Sequence, residues 1–220
     1  MHNKFKRKSF TFSGWFNQNY MWMIIGLLFF FLLIAFLAPI FMKFGMIQPA
    51  KVIYWIYDAF CHQLTFRSWF LFGQQAFYPR ELAGIPNVVS YEIATGDYQL
   101  DLQFARDFVG NEVLGYKVAL CQRDVAIYGS LFVCGLFFQL SGKKIKPIPW
   151  FLWIILGLFP IGVDGITQFG GLGISFLNWL PVRESTPFLR SVTGVLFGIT
   201  TGLFIYPLIE ENMDQERLKA

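Results

Sequence analysis

The sequence predicts an all-α integral membrane protein of four transmembrane helices. A long extracytoplasmic loop would hold a surface amphipathic helix and a small β-hairpin. Three observations carry this. Only 15% of the 220 residues are charged and 55% are hydrophobic, whereas a soluble domain carries about 25% charge. Phe alone supplies 27 residues, heavy for a soluble core and ordinary where side chains face lipid. Apolar runs approaching bilayer length recur, and basic residues gather at the N-terminus and in one short loop. The net charge of +4 therefore reads as an orientation signal and argues against nucleic-acid binding.

Residues 1–20 read as a basic cytoplasmic N-terminus, with Lys4, Lys6, Arg7 and Lys8 and no acid. Residues 21–42 then run for 22 residues without a charge. As a helix that is about 33 Å, enough for a hydrocarbon core of about 30 Å. A cleaved signal peptide would have a shorter apolar region and a small-x-small site. Pro39 falls near the end of this first span, where a kink costs little. Residues 121–141 form a second, shorter span, followed by Lys143, Lys144 and Lys146. Residues 148–168 form a third. The fourth, 188–209, stacks Gly194, Gly198 and Gly202 on one face, which lets another helix backbone approach.

Short cytoplasmic segments collect Lys and Arg. That places both termini and the lysine loop inside a cytoplasmic (plasma) membrane, with 210–220 as a cytoplasmic tail. Residues 43–120 and 169–187 then lie outside. Within the long outer arm, 49–60 reads as an amphipathic helix at the membrane surface. The alternation in 87–104 suggests a hairpin turning at Thr95-Gly96-Asp97, and 105–120 a second surface helix. No internal repeat is visible, which argues against a transporter.

This topology gathers the chemistry-bearing residues at one membrane boundary. Cys61, His62, Gln63, Arg67 and Ser68 precede the second span; Cys121, Arg123 and Asp124 open it, with Tyr128 a turn further in. Asp164 and Gln168 close the third span at i,i+4 spacing, and Arg183, Glu184, Ser185 and Arg190 lead into the fourth. Ionisable groups at that depth are costly unless paired, and mark sites by default. Arg67, Arg123, Arg183 and Arg190 with the acids would also make a self-neutralising network that pins the helices together.

The cysteines offer two further readings. Cys134 is a mid-span filler. Cys61 and Cys121 lie outside, where a disulfide persists. A bridge between them would contribute about 4 kcal/mol by the chain-entropy argument. Alternatively Cys61, His62, Cys121 and Asp124 supply sulfur, imidazole and carboxylate ligands suited to zinc. Neighbours in a helix point about 100° apart, so the Cys61-His62 pair fits a helix end better than a helix interior.

The strings "CHQ", "RSWFLFG", "PIGVDGITQ", "RES" and "RSVTGVLFG" resemble a family of small bacterial and archaeal membrane proteins known as domain of unknown function 2085. The resemblance runs from about residue 61 to 202, broken by an insert at about 74–120. It implies a C-x-R-C segment at the second span and so a three-cysteine, one-histidine set. Here the segment is "CQRD", with Asp124 at the second cysteine position, which weakens a metal and favours a disulfide. The resemblance implies no activity.

Three functions follow from these residues. One is a binding or assembly site at the outer face for a metal, headgroup or small ligand. Another is an accessory subunit contacting other membrane proteins or itself. The third is a metal-dependent enzyme on a lipid or small extracytoplasmic substrate, with the arginines suited to phosphate. No C-x-x-C-H haem motif, phosphate-cradling glycine loop or nucleophile elbow occurs, so zinc is the one cofactor considered and membrane lipid the first partner.

Overall fold

The computed structural model describes residues 12–168 and 183–219. The chain is mostly helical, with one small sheet. Helix α1 (Phe12–Lys43) turns at Gly45, whose φ of 73° needs no Cβ there, into α2 (Ile47–Asp58). Strand β1 (Ser68–Leu71) follows, then the short helices α3 (Tyr91–Thr95) and α4 (Leu102–Asp107). Strands β2 (Gly110–Asn111) and β3 (Gly115–Cys121) lead directly into α5 (Gln122–Leu140). The next apolar segment is α6 (Trp150–Trp153), a π-helical turn at Ile154–Leu158, and α7 (Phe159–Ile166). Helix α8 (Pro187–Lys219) completes the described chain.

Among the described residues, three helices are long and apolar enough to cross a membrane: Trp15–Lys43, Gln122–Leu140 and Pro187–Gln215. The fourth apolar segment, Trp150–Ile166, has 17 residues. At 1.5 Å per residue it reaches about 25 Å, short of a hydrocarbon core of about 30 Å. Its π turn precedes Pro160, which has no N–H to donate and crowds the carbonyl four residues back, so the helical ladder is interrupted there. Trp153 holds the segment to α8 by donating Nε1–H to Thr201 Oγ1 at 2.9 Å and stacking on Phe204.

Helix bounds differ from the sequence reading at both termini. Helix α1 starts before residue 21, because Phe16 and Tyr20 extend its packed face and the Tyr20 hydroxyl donates to Glu210. Helix α8 runs on to Lys219 instead of ending in a tail. Its Glu210 is held by Lys143 Nζ at 2.9 Å, and the Lys143 ammonium also sits over the Tyr20 ring. The outer loop expected at 169–187 falls largely outside the described residues.

Helix α2 buries Ala50, Ile53, Tyr54 and Tyr57, the i, i+3, i+4, i+7 stripe of an amphipathic helix. Its other face is also apolar, with Trp55 77% exposed beside Val52 and Ile56. The hairpin expected at 87–104 is instead two short helices. Ser90 caps α3 by accepting from Ile93 N–H, and Gly96 ends it at φ 77°. Asp101 caps α4 by accepting from Gln103 and Phe104 N–H. These caps satisfy backbone donors that an alternating strand would need a partner strand to satisfy.

The true hairpin lies where a helix was expected. Asn111 Oδ1 accepts from Val113 and Leu114 N–H, and Gly110 and Gly115 adopt φ of 111° and 78° around that turn. The sheet order is β1-β3-β2, all antiparallel, with Ser68 opposite Cys121. Val118, Ala119 and Leu120 of β3 pack with Ala35 and Ala38 of α1 and with α2 in one buried cluster. A second cluster, Tyr20, Met21, Ile25, Cys134, Phe138 and Tyr206, joins α1, α5 and α8 toward their opposite ends.

Helices α5 and α8 meet along the glycine face. A Cβ on Gly194 would lie 2.8 Å from Arg123 O, one on Gly198 2.6 Å from Ile127 O, and one on Gly202 2.7 Å from Cys134 Sγ. Backbone atoms cannot rotate away, so Gly198→Ala should cost about 1–3 kcal/mol by overpacking. Adding Ser130→Ala removes the hydroxyl 1.9 Å away but not the Ile127 carbonyl. Thermal unfolding in detergent should therefore show only partial recovery in the double variant; a wild-type melting temperature for Gly198→Ala would refute close backbone contact.

Candidate functional site

Four segments deliver side chains to one end of the helix bundle: the 60–68 turn, the β3–α5 junction, the end of α7 and the start of α8. After α2 the chain turns through Gln63, which takes φ of 50°. Gln63 donates Nε2–H to Tyr54 O at 2.7 Å and its backbone N–H to Cys61 Sγ at 3.4 Å. Its carbonyl accepts from Lys117 Nζ at 2.8 Å. These bonds fix Cys61 beside the β3–α5 junction. There Cys121 is the N-cap of α5, its sulfur accepting from Asp124 N–H at 3.4 Å. The Cys121 thiol in turn donates to Asp124 Oδ2 at 3.0 Å. A carboxylate in the first turn also suits the helix dipole.

Ligand atoms of Cys61, Cys121 and Asp124 all lie within 4.8 Å of one another. Cys61 is buried, and Cys121 and Asp124 are half-buried. Hydrogen bonding with Cys121, then burial, pushes the Cys61 thiol well above the usual cysteine range. Cys61 and Cys121 are both free thiols, so no bridge joins them here. His62 is exposed and stands outside this set, at the edge of the same pocket. Its backbone neighbour Cys61 points inward, and adjacent residues here do not share a direction. Cys134 is buried far along α5, with Met21, Ile25 and Tyr206 around it.

Beside the sulfurs lies an ion network. Asp164, 3% exposed, accepts from Arg123, from Arg183 Nη2 at 3.3 Å and from Ser185 Oγ at 3.0 Å. Gln168 donates Nε2–H back to Asp164 O at 2.6 Å. Glu184 accepts from Arg190 and from Arg67 Nε at 3.0 Å. Each carboxylate thus serves two guanidinium groups. Arg190, 2% exposed, also reaches Phe66 O, Gln122 Oε1 and Gln168 Oε1 at 3.4–3.5 Å. Tyr128 packs on Phe31 of α1, with ring centroids 4.8 Å apart.

The pocket between the sulfurs and the arginines holds about 220 Å³. Phe60, His62, Gln63, Leu64 and Gln168 complete its wall around Cys61, Cys121, Asp124, Arg67, Arg123 and Arg190. Two contributing residues escaped the sequence reading. Gln122, fully buried, donates Nε2–H to Ser68 O at 3.1 Å and joins the sheet to Arg190. Lys117, fully buried, ties the 60–64 turn to α4 through Gln63 O and Arg106 O. A glutamine next to a cap and a lysine on an apparent surface helix carry no sequence signal of burial.

The resemblance seen in the sequence holds in comparison with known proteins. Residues 111–204 match the family described as Predicted membrane protein (DUF2085). The matched stretch contains Cys121, Asp124, Asp164, Glu184 and Arg190; Cys61 and His62 precede it. An uncharacterized protein of Methanocaldococcus jannaschii, MJ1492, is 28% identical over 203 residues, covering 88% of this chain and 94% of that protein. No solved structure matches the chain.

Proposed function

We propose that this membrane protein binds a divalent metal ion of the zinc type at the outer membrane end of its helix bundle, through Cys61, Cys121 and Asp124. In this reading α1, α5 and α8 cross the membrane, Trp150–Ile166 crosses as a short fourth span, and both termini face the cytoplasm. The observation that carries the metal is the convergence of two thiols and a carboxylate within 4.8 Å. In a tetrahedral zinc site such atoms sit about 3.4–3.8 Å apart, given bonds of about 2.0–2.3 Å. Cys121 Sγ and Asp124 Oδ2, at 3.0 Å, are slightly closer than that, joined by the thiol proton that a metal would displace. The 60–64 turn needs a small shift to bring in Cys61. Two sulfurs and an oxygen favour a borderline-soft ion over magnesium or calcium. A cation also reverses the cost of ionising Cys61, because it stabilises thiolate directly. Two metal-bound thiolates are then held by both halves of the outer end, the α2 arm and the α5 cap.

Metal content and free thiols of the detergent-purified chain decide between the readings. The expected result is one zinc per chain, with Cys61 and Cys121 slow to react with a thiol reagent. Cys61→Ser and Cys121→Ser should each lose the metal, and Cys134→Ser should keep it. No retained metal together with two missing thiols would establish a disulfide. No retained metal with all thiols free would leave only the arginine–carboxylate network. That network supports a second reading, a scaffold or accessory role, because the pairs around Asp164 and Glu184 join the turn before β1, α5, α7 and α8 without a ligand. Co-purification of other membrane proteins after mild extraction would favour it.

A further inference from the structure

We infer that the arginine side of this pocket binds a phosphate group, one oxygen of which fills the open fourth position on the metal. The inference rests on the metal reading above. Three protein ligands leave one tetrahedral position vacant, the arrangement that accepts an exogenous ligand. The wall facing the sulfurs is cationic: Arg67, Arg123 and Arg190 all line the pocket. Their volume of about 220 Å³ suits a compact group, since pockets for drug-sized molecules run to about 300–1,000 Å³.

Charge balance points the same way. Among the described residues, Arg67, Arg123, Arg183 and Arg190 share only Glu184 and Asp164. Asp124 is engaged with the Cys121 thiol. Four positive groups against three carboxylates leave one positive charge unmatched. Adding a divalent ion and ionising both thiols leaves that balance unchanged. A half-buried unmatched cation is costly, and an anion relieves the cost.

Donor capacity is also left over. Arg123 Nε is buried and has no hydrogen-bond partner among the described residues. Arg190 reaches three neutral acceptors only at 3.4–3.5 Å, beyond normal hydrogen-bond length. Guanidinium forks match phosphate oxygens, and a tetrahedral anion offers oxygens to several arginines and a metal at once. The site lies at the ends of the membrane helices, so a lipid headgroup and a free phosphate share the required chemistry.

Cobalt-loaded full-length protein in a maltoside detergent provides the test, because the cobalt visible spectrum reports its ligands. Inorganic phosphate is titrated in one arm, and phosphatidic acid in mixed micelles, with diacylglycerol as its uncharged control, in the other. A saturable spectral change with either phosphate source is expected, and the source that acts identifies the ligand. Arg67→Gln should weaken it by at least about 10-fold, the scale of one lost charge-assisted hydrogen bond. Lys51→Gln, which removes an exposed charge on α2, should not. A cobalt spectrum unmoved by both sources, or moved equally in Arg67→Gln, overturns the phosphate inference and leaves the metal site standing. Failure to bind cobalt at all overturns both.

Discussion

Glu184→Gln should destabilise the protein by about 3–5 kcal/mol, the cost of leaving a buried charge without its partner. Glu184 and Arg190 have side chains 6% and 2% exposed, and among the described residues their carboxylate–guanidinium contact is the only ionic one Arg190 makes. Glutamine keeps the shape and removes the charge. Arg190 would then face Phe66 O, Gln122 Oε1 and Gln168 Oε1, all neutral and all distant. Arg67 also loses its partner, but its side chain is 33% exposed and water can take over. The same logic makes a sharper test from a second substitution. Glu184→Gln combined with Arg190→Met removes both buried charges, and well-packed apolar replacements of buried pairs are often close to neutral. The double variant should therefore melt above Glu184→Gln alone. Loss of less than about 1 kcal/mol in the single variant, the range of surface ion pairs, would show that water reaches this pair.

The polar end of the bundle was legible in the sequence because span order alone sends residues 61–68, 121–124, 164–168 and 183–190 to one boundary. Span order brought Arg67, Arg123, Asp164 and Glu184 to the same boundary, but which of them pair is seen only in the structure. The three long helices were equally plain, since each contains a long apolar stretch with its charges confined to the ends. The arm between the first two long helices was not. Alternation in 87–104 looked like a hairpin, yet Ser90, Gly96 and Asp101 are helix start and stop signals, and local capping decided the outcome. The strand 115–121 was hidden because Lys117 broke its apolar character. Read locally, a lysine there marks a solvated face; it is buried only because α4 and the 60–64 turn close over it. The position of His62 was equally unreadable, since Gln63 takes a left-handed conformation that sequence does not announce and that sets which neighbour faces the pocket.

Lys117 gives the fold a pH dependence that a single substitution can isolate. Burial pulls its pKa from 10.5 down to about 7, against the opposing pull of Asp107, Cys61 and Asp58, with Arg106 adding to the fall. Between those two values the unfolded chain holds a proton that the folded chain has released. Stability therefore rises with pH across that window, by up to about 1.4 kcal/mol per pH unit. Below about pH 7 both states are protonated and the full cost of the buried ammonium remains; above 10.5 both are neutral and the cost vanishes. Lys117→Met removes this contribution and also leaves Gln63 O and Arg106 O without a donor, a loss that does not vary with pH. Comparison of the two proteins isolates the lysine from other groups that titrate in the same range. Wild type should gain about 3 kcal/mol on Lys117→Met between pH 7 and about pH 9.5. Parallel melting curves in detergent across that range measure it. A constant difference between them would mean that Lys117 stays charged in the fold, with its ammonium satisfied by the two carbonyls and by Asp107 and Asp58. The 60–64 turn that Lys117 anchors carries Cys61, so the same titration bears on how firmly the sulfur is held beside Cys121 and Asp124.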